Sequence, residues 1–123
     1  MLIEGLNHTS AITVTMDKTA RIVGSGDMDV LATPMMLALM ENAAMLAVAP
    51  ALDNGQTTVG GHIESSHIKP SKVGANVEAT ATLTKIDGRK LTFSVVARMN
   101  GEVIGEGTHL RFIVDREKFL SRL

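Results

Sequence analysis

One carboxylate, Glu41, stands in the middle of the apolar stretch VLATPMMLALMENAAMLAVAPAL, residues 30–52. In a helix, the positions three, four and seven residues away are all apolar, namely Pro34, Leu37, Ala38, Ala44, Met45 and Val48. An ionised carboxylate buried without a partner is strongly unfavourable, so the group must be hydrogen-bonded, protonated or beside a cavity. It is either a structural acid, satisfied by strand backbone or at a subunit boundary, or a desolvated acid that acts as base or nucleophile.

Thr33 precedes Pro34, and this pair is typical of a helix start, with Thr as the N-cap and Pro at the first helical position. The threonine is therefore either a plain cap or a catalytic hydroxyl. In an unbroken helix, Thr33 and Glu41 lie about 12 Å apart along the axis, too far to share a proton within one chain. Either a substrate bridges them, or a second copy of the chain brings its glutamate near this threonine. We favour the second arrangement and expect a homodimer.

His67 is the candidate proton carrier. It falls near the end of a strand predicted at TTVGGHIESSHIKP, residues 57–70, and by alternation it shares a face with Val59 and Ile63. It would then point to the same apolar side as Glu41. A lone histidine there is either a satisfied core residue or, with a second inward polar group, a catalyst.

Gly60 and Gly61 lie on the same predicted strand. A residue without Cβ lets a ligand carbonyl approach the backbone closely, and a free N–H there can hold an oxyanion. The alternative is a bulge where the strand bends. His62 and His67 would face opposite sides of a regular strand, so we expect no metal site, and His109 is indistinguishable from a surface or turn histidine.

The elements that would position these residues are a long helix and an antiparallel sheet. The runs VEATATLTKI, LTFSVVARM and EVIGEGTHLRFIVD alternate in polarity, and Asp87-Gly88 and Asn100-Gly101 separate them as type I′ hairpin turns. Gly105 and Gly107 indicate a bulge or a close backbone approach. Further strands are expected at residues 10–16 and 20–23, and a short helix at the C-terminus.

The helix should run from Pro34 to near Pro50, and a helix apolar on every face must be surrounded. The order of one strand, a long buried helix and a four-strand antiparallel meander predicts an α+β protein with the hotdog fold. In this fold, a curved antiparallel sheet wraps around a long central helix.

Composition narrows the class of protein. The chain of 123 residues fits one domain, residues 1–123, with one core. It has no cysteine, which excludes disulfides, thiolate catalysis and a cysteine-ligated zinc. The formal net charge is −1 and the charges are scattered, so no nucleic-acid partner is expected. Eight Met and a 2% aromatic content describe a pliable core, which suits a flexible acyl chain but also occurs without one.

The apolar stretch also has to be weighed as a membrane segment. Glu41, Asn42 and Pro50 interrupt it at about the minimum length for spanning, so we interpret it as a buried helix and expect no membrane partner. The N-terminus lacks a basic region followed by an apolar one, so no signal peptide is expected and we predict a cytoplasmic protein.

The chain resembles the fluoroacetyl-CoA thioesterase-like family of hotdog-fold thioesterases. The matching segments, in order, are VLATPMMLALMENAA, TTVGGHIESSHIKPSKVG, KIDGRKLTFSVVA and IGEGTHLRF. The resemblance implies that Thr33, Glu41 and His67 form the catalytic set, that Gly60 borders the acyl site, and that the sites lie between two subunits. The fluoroacyl-selective branch has a pocket lidded by aromatic side chains, whereas residues 17–32 contain none, so its substrate is not carried over.

We therefore expect an enzyme, an acyl-CoA thioesterase that converts a short-chain acyl-CoA to free acid and CoA. Glu41 would attack the acyl carbon or activate water, His67 would shuttle protons, and Thr33 would orient the reacting groups. Gly60 and Gly61 would bind the substrate. No metal or other cofactor is expected, CoA arrives as part of the substrate, and the homodimer could assemble further. The alternatives are a non-catalytic acyl-CoA-binding module and a hotdog enoyl-CoA hydratase or dehydratase.

Overall fold

A computed structural model describes all residues, Met1–Leu123. It contains five strands and three α-helices, in the order β1 (Asn7–Thr13), α1 (Ala20–Val23), α2 (Thr33–Val48), β2 (Gln56–Ser65), β3 (Asn76–Asp87), β4 (Lys90–Met99), β5 (Glu102–Asp115) and α3 (Arg116–Ser121). Short 3₁₀ helices occupy Met16–Lys18 and Ala49–Ala51. The predicted long helix, the C-terminal strands and the terminal helix are all present.

The five strands form one antiparallel sheet in the order β1-β3-β4-β5-β2. The predicted four-strand meander is wrong in one respect, because only β3, β4 and β5 follow one another as hairpins. The strand β2 pairs with β5 instead of β3, so the chain crosses the sheet from one edge toward the other between Ser65 and Asn76. The sheet packed against α2 confirms the hotdog arrangement.

The core lies between α2 and the alternating faces of β3 and β4. The inward side chains of these strands are at most 1% exposed and comprise Val77, Ala79, Ala81, Leu83, Leu91, Phe93, Val95 and Ala97. The buried residues of α2 are Met36, Leu39, Met40, Ala43, Ala44, Ala47 and Val48. The alanines let helix and sheet approach closely, and Phe93 is the one phenylalanine in this cluster. By length and hydropathy alone, Thr33–Ala51 would be long and apolar enough to cross a membrane, but here it packs against the sheet.

The two hairpin turns differ in type. At Asn100 and Gly101, φ is 54° and 76°, as the predicted type I′ turn requires at both central residues. The first turn is shifted by one residue from the prediction, because Asp87 pairs with Lys90 and the central residues are Gly88 and Arg89. Only Gly88 has positive φ there, which fits a type II′ turn.

Three N-terminal predictions are corrected. The first strand is Asn7–Thr13 rather than 10–16, displaced toward the N-terminus. Residues 20–23 form the short helix α1, not a strand, because the Thr19 hydroxyl accepts a hydrogen bond from the Ile22 backbone N–H and Gly24 ends the helix in the left-handed region. Thr33 is the first residue of α2 and Ala32 its N-cap, so the threonine hydroxyl does not cap the helix.

Candidate active site

The first residue of α2 carries a hydroxyl that pairs with a histidine beyond β2. The Oγ1 atom of Thr33 lies 2.7 Å from Nδ1 of His67. The other ring nitrogen, Nε2, is buried and has no hydrogen-bond partner. Burial lowers the pKa of His67 below its usual value of 6.5, and a backbone hydrogen bond with Lys69 offsets part of this effect. The imidazole is therefore neutral near pH 7 and able to accept a proton.

His67 lies outside the strand that was predicted to carry it. The strand β2 ends at Ser65, and a register shift between Gly60 and His62 breaks the alternation on which the prediction rested. The backbone around the histidine is nevertheless held, because the Ser66 N–H donates to the Glu106 carbonyl at 3.0 Å and the Ile68 N–H donates to the Ile104 carbonyl at 2.7 Å. The histidine is thus tied to β5 on both sides.

The glycines of β5 make this attachment possible, as the sequence predicted. A Cβ at Gly107 would collide with the Glu64 carbonyl oxygen, and one at Gly105 would collide with the Ser66 carbonyl oxygen. Because neither carbonyl can be displaced without breaking the backbone pairing, only glycine fits at these two positions.

A cavity of about 280 Å³ lies beside the Thr33–His67 pair. Its lining comes from α1 and the loop that follows, from the start of α2 and from the segment after β2, and comprises Ala20, Ser25, Val30, Leu31, Thr33, His67, Ile68, Lys69 and Pro70. Glu41 is not part of this lining, and no hydrogen bond or ion pair joins it to Thr33 or His67 within the chain.

Glu41 instead faces Gly60 of β2 and Arg111 of β5. Its Oε2 atom is 3.8 Å from Nη1 of Arg111, beyond hydrogen-bond distance. A Cβ on Gly60 would stand 2.9 Å from the same oxygen, so the glycine lets the carboxylate approach the strand without moving aside. The sequence predicted a buried acid that is hydrogen-bonded, protonated or beside a cavity, whereas the side chain is 42% exposed in the single chain and has a cationic neighbour.

Sequence reasoning missed the residues that surround this carboxylate. Arg111 is 6% exposed and His109 is 1% exposed, so the description of His109 as a surface or turn histidine is wrong. The signal was in the alternation of β5, where His109 and Arg111 fall on the same inward face as Ile113. A cation at an inward strand position is rare without a partner or a function.

The remaining candidate, Gly61, faces a different environment. The three atoms nearest to a Cβ built on it all belong to the ring of Phe112, with which that Cβ would collide. The register shift places it at the bulge between Gly60 and His62, as one of the two alternatives for the glycine pair required, while the binding of a ligand carbonyl at Gly60 stays a prediction.

Comparisons with known proteins agree with this arrangement. A family model described as "Fluoroacetyl-CoA-specific thioesterase" matches residues 14–117. The fluoroacetyl-CoA thioesterase of Streptantibioticus cattleyicolor is 37% identical over 95 residues, which cover 77% of this chain and 68% of that protein. A solved structure of the fluoroacetyl-CoA thioesterase FlK superposes with a TM-score of 0.91 at 32% identity, covering 99% of this chain and 95% of that one.

Two further solved structures are similar. A variant of FlK in complex with fluoroacetate and CoA gives a TM-score of 0.89 at 33% identity and covers 96% of this chain and 99% of that one. A thioesterase superfamily member from Thermus thermophilus gives a TM-score of 0.91 at 27% identity, with 99% and 90% covered.

A curled antiparallel sheet around a helix that presents a carboxylate, together with these matches, defines a hotdog-fold thioester hydrolase that acts on acyl-CoA. Within this class, the chain belongs to the fluoroacetyl-CoA-specific thioesterase family.

Proposed function

We propose that this thioesterase hydrolyses short-chain acyl-CoA with Thr33 and His67 of one copy and Glu41 of a second copy. The observation that supports this proposal most directly is that the three residues form two separate groups. Thr33 and His67 pair at 2.7 Å, whereas Glu41 lies apart from them, beside Arg111. The helix α2 is continuous from Thr33 to Val48, so the separation of about 12 Å between Thr33 and Glu41 cannot close by bending.

A homodimer would also cover an exposed apolar surface of α2. Ala38, Asn42 and Leu46 are exposed on this side of the helix, and Glu41 lies among them. A shallow cavity of about 320 Å³ on this surface is lined by Ala38, Glu41, Asn42, Met45 and Arg111. A second copy placed here would exclude water from the carboxylate and bring its own Thr33–His67 pair within reach.

Two chemical routes are open to Glu41. In the covalent route, a carboxylate oxygen bonds to the acyl carbon, the C–S bond breaks, CoA leaves as thiolate, and water then hydrolyses the mixed anhydride. In the general-base route, the carboxylate takes a proton from water, and the resulting hydroxide adds to the acyl carbon before the C–S bond breaks. In the covalent route, the neutral His67 takes a proton from the attacking water through the unpartnered Nε2 and gives it to the CoA thiolate. In the general-base route, His67 passes to the thiolate the proton that Glu41 has taken from water.

The developing negative charge on the acyl oxygen requires donors. The Gly60 backbone N–H is our candidate donor, because this residue stands against Glu41 and has no side chain to obstruct a carbonyl. The Nη1 atom of Arg111 lies 3.5 Å from the position of a Cβ on Gly60 and is the nearest cationic group. No metal or further cofactor takes part in this scheme, and CoA enters only as part of the substrate.

The class of acyl group is proposed from the relatives, because solved structures of FlK variants hold fluoroacetate with CoA, and acetyl-CoA. Residues 17–32 carry no aromatic side chain, so we propose a short unsubstituted or lightly substituted acyl group without fluoroacyl selectivity. We also propose that residues 1–123 act as one domain in the cytoplasm, where acyl-CoA is available.

Release of free thiol from a panel of acyl-CoA esters, read with a thiol-reactive dye, tests the proposal. We expect wild type to release CoA, and Glu41→Gln to lose about 100- to 10,000-fold in kcat. The matched control is Glu117→Gln, which removes a carboxylate from the exposed helix α3 and should leave the rate unchanged. Metal chelation should also leave it unchanged.

The alternatives give different results in the same assay. Saturable binding of acyl-CoA with no thiol release on any ester would indicate a binding module. Loss of enoyl-CoA absorbance without thiol release would indicate a hydratase. Full activity of Glu41→Gln would refute the role of the carboxylate while leaving the class of enzyme intact.

A further inference from the structure

The guanidinium of Arg111 is fixed by acceptors on two sides. Its Nε donates to Oγ1 of Thr58 at 2.8 Å, and its Nη2 donates to the Thr58 carbonyl oxygen at 2.9 Å. Its Nη1 lies 3.2 Å from Nε2 of His109. The side chain is only 8% exposed, so these acceptors replace the water that an arginine otherwise binds.

The contacts of His109 determine where its proton sits. Its Nδ1 lies 2.7 Å from the backbone carbonyl oxygen of His62. A carbonyl oxygen only accepts, so Nδ1 carries the hydrogen and donates it. A guanidinium nitrogen only donates, so Nε2 of His109 must offer a lone pair to Nη1 of Arg111. Both contacts are therefore satisfied by one form, the neutral imidazole with its hydrogen on Nδ1.

The electrostatic surroundings favour the same neutral form. Burial lowers the pKa of His109, the hydrogen bond to the His62 carbonyl partly opposes this, and the positive charge of Arg111 lowers it further. Glu41 raises the pKa of His109 to a smaller extent. A doubly protonated ring would turn an N–H toward Nη1, and the contact would become repulsive.

This arrangement decides the direction of one N–H of Arg111. The Nη1 atom has two hydrogens, and it is also the atom of Arg111 that faces Oε2 of Glu41 at 3.8 Å. With one hydrogen given to His109, the other has no acceptor within the chain, since Oε2 of Glu41 is beyond hydrogen-bond distance, and it is available to a ligand beside Glu41 and Gly60. Without His109, the Nη1 hydrogen that now points at Nε2 of the imidazole would have no acceptor.

We propose that His109 is a positioning residue for thioester hydrolysis, which acts through Arg111 by accepting one Nη1 hydrogen and so aiming the other at the acyl group bound beside Glu41 and Gly60. The proposal rests on the function proposed above. The ring is 1% exposed and its Nε2 faces Nη1 of Arg111, so we assign it no direct part in binding the substrate. The bulge between Gly60 and His62 contributes to this arrangement, because it sets the position of the His62 carbonyl that orients the imidazole.

The test compares His109→Leu with His109→Gln. Leucine removes the acceptor, while a glutamine oxygen can take the place of Nε2. We expect His109→Leu to lower kcat for thiol release by about 10- to 100-fold with a smaller change in KM, and His109→Gln to recover most of the loss. In an Arg111→Gln background, His109→Leu should cause little further loss, because the two residues act as one unit.

A merely structural histidine would give another pattern. His109→Leu would then lower the melting temperature, reduce kcat only in proportion to the folded fraction, and add its full effect in the Arg111→Gln background. That pattern, or equal rates for wild type and folded His109→Leu, would overturn the proposal.

A spectroscopic measurement on wild type is independent of whether the variants fold and of catalysis. Long-range ¹H–¹⁵N correlation of the imidazole should show His109 with its hydrogen on Nδ1 at pH 7.5. A hydrogen on Nε2, or a doubly protonated ring, would overturn the proposal. If wild type hydrolyses no acyl-CoA, the proposed function fails but this signature is unaffected, so the two failures are distinguishable.

Discussion

Mixed dimers built from two defective chains test whether the site is shared between copies. Thr33→Ala removes the hydroxyl that pairs with His67, and Glu41→Ala removes the carboxylate. If each site combines the Thr33–His67 pair of one copy with Glu41 of the other, a mixed dimer has one site with both defects and one site with none. The purified mixed dimer should then have about half of the wild-type kcat, and a random mixture of the two chains about a quarter, since half of its dimers are mixed.

The structure explains why the expected recovery is so large. Thr33 and Glu41 lie about 12 Å apart along a rigid helix, whereas a proton is transferred over about 3 Å. No rotamer change in one chain spans the difference, so recovery of activity in the mixed dimer would mean that its intact site draws on both copies.

The assay uses two affinity tags, so that only mixed dimers are retained before thiol release is measured. The matched control combines Thr33→Ala with His67→Ala. These two residues are in contact at 2.7 Å within one chain, so each site of that mixed dimer lacks one of them and no activity returns. If the Thr33→Ala and Glu41→Ala mixed dimer were no more active than its parents, the shared site would be refuted.

Three further predictions follow from distances, pKa shifts and burial. Gly60→Ala would put a Cβ at 2.9 Å from Oε2 of Glu41, where ordinary contact begins at 3.4 Å. The carboxylate must retreat by about 0.5 Å, so we expect about a tenfold loss of kcat in the thiol assay with the melting temperature preserved. The pKa values of His67 and His109 are lowered in the folded protein, so the unfolded chain takes up protons first as the pH falls. The free energy of unfolding, measured in urea, should therefore decrease below about pH 6.5 and continue to decrease until the pH has passed the folded pKa values. Phe93→Ala, at a fully buried site in the centre of the core, should lower that free energy by about 3–5 kcal/mol.

Each of these three predictions has a contrary result. A folded Gly60→Ala enzyme with the wild-type kcat would show that Glu41 need not stand where it does. A free energy of unfolding that is constant from pH 8 to about pH 5.5 would contradict the depressed histidine pKa values, whereas a smaller slope in His109→Gln would support them. A loss below about 1 kcal/mol in Phe93→Ala would mean that the core can close around the missing ring.

Much of this fold could be predicted because its signals are local. The strands β3 and β4 alternate without interruption, and Asn100-Gly101 has the composition of the turn that it forms. The helix α2 was recognisable from Pro34 and from its apolar length. In each case, the residues that decide the structure are neighbours in sequence.

The missed parts depend on contacts between residues distant in sequence. The bulge between Gly60 and His62 changes the face of every later residue in β2, so alternation could not locate His67. The position of the Arg111 guanidinium depends on Thr58 of β2, which accepts two hydrogen bonds from it. In the sequence, Thr33 stands where a helix N-cap is typical, but in the structure its hydroxyl pairs with His67.

The two backbone hydrogen bonds that tie Ser66 and Ile68 to β5 use main-chain atoms only. The Ile68 side chain takes no part in them and, 64% exposed, lies on the wall of the cavity beside the imidazole, whereas the Ser66 hydroxyl also bonds to the main chain of Glu106. A change of side chain at Ile68 would therefore alter that wall while the main-chain attachment of His67 stays in place. Ile68 is thus the natural position to randomise when a new thioester specificity is sought.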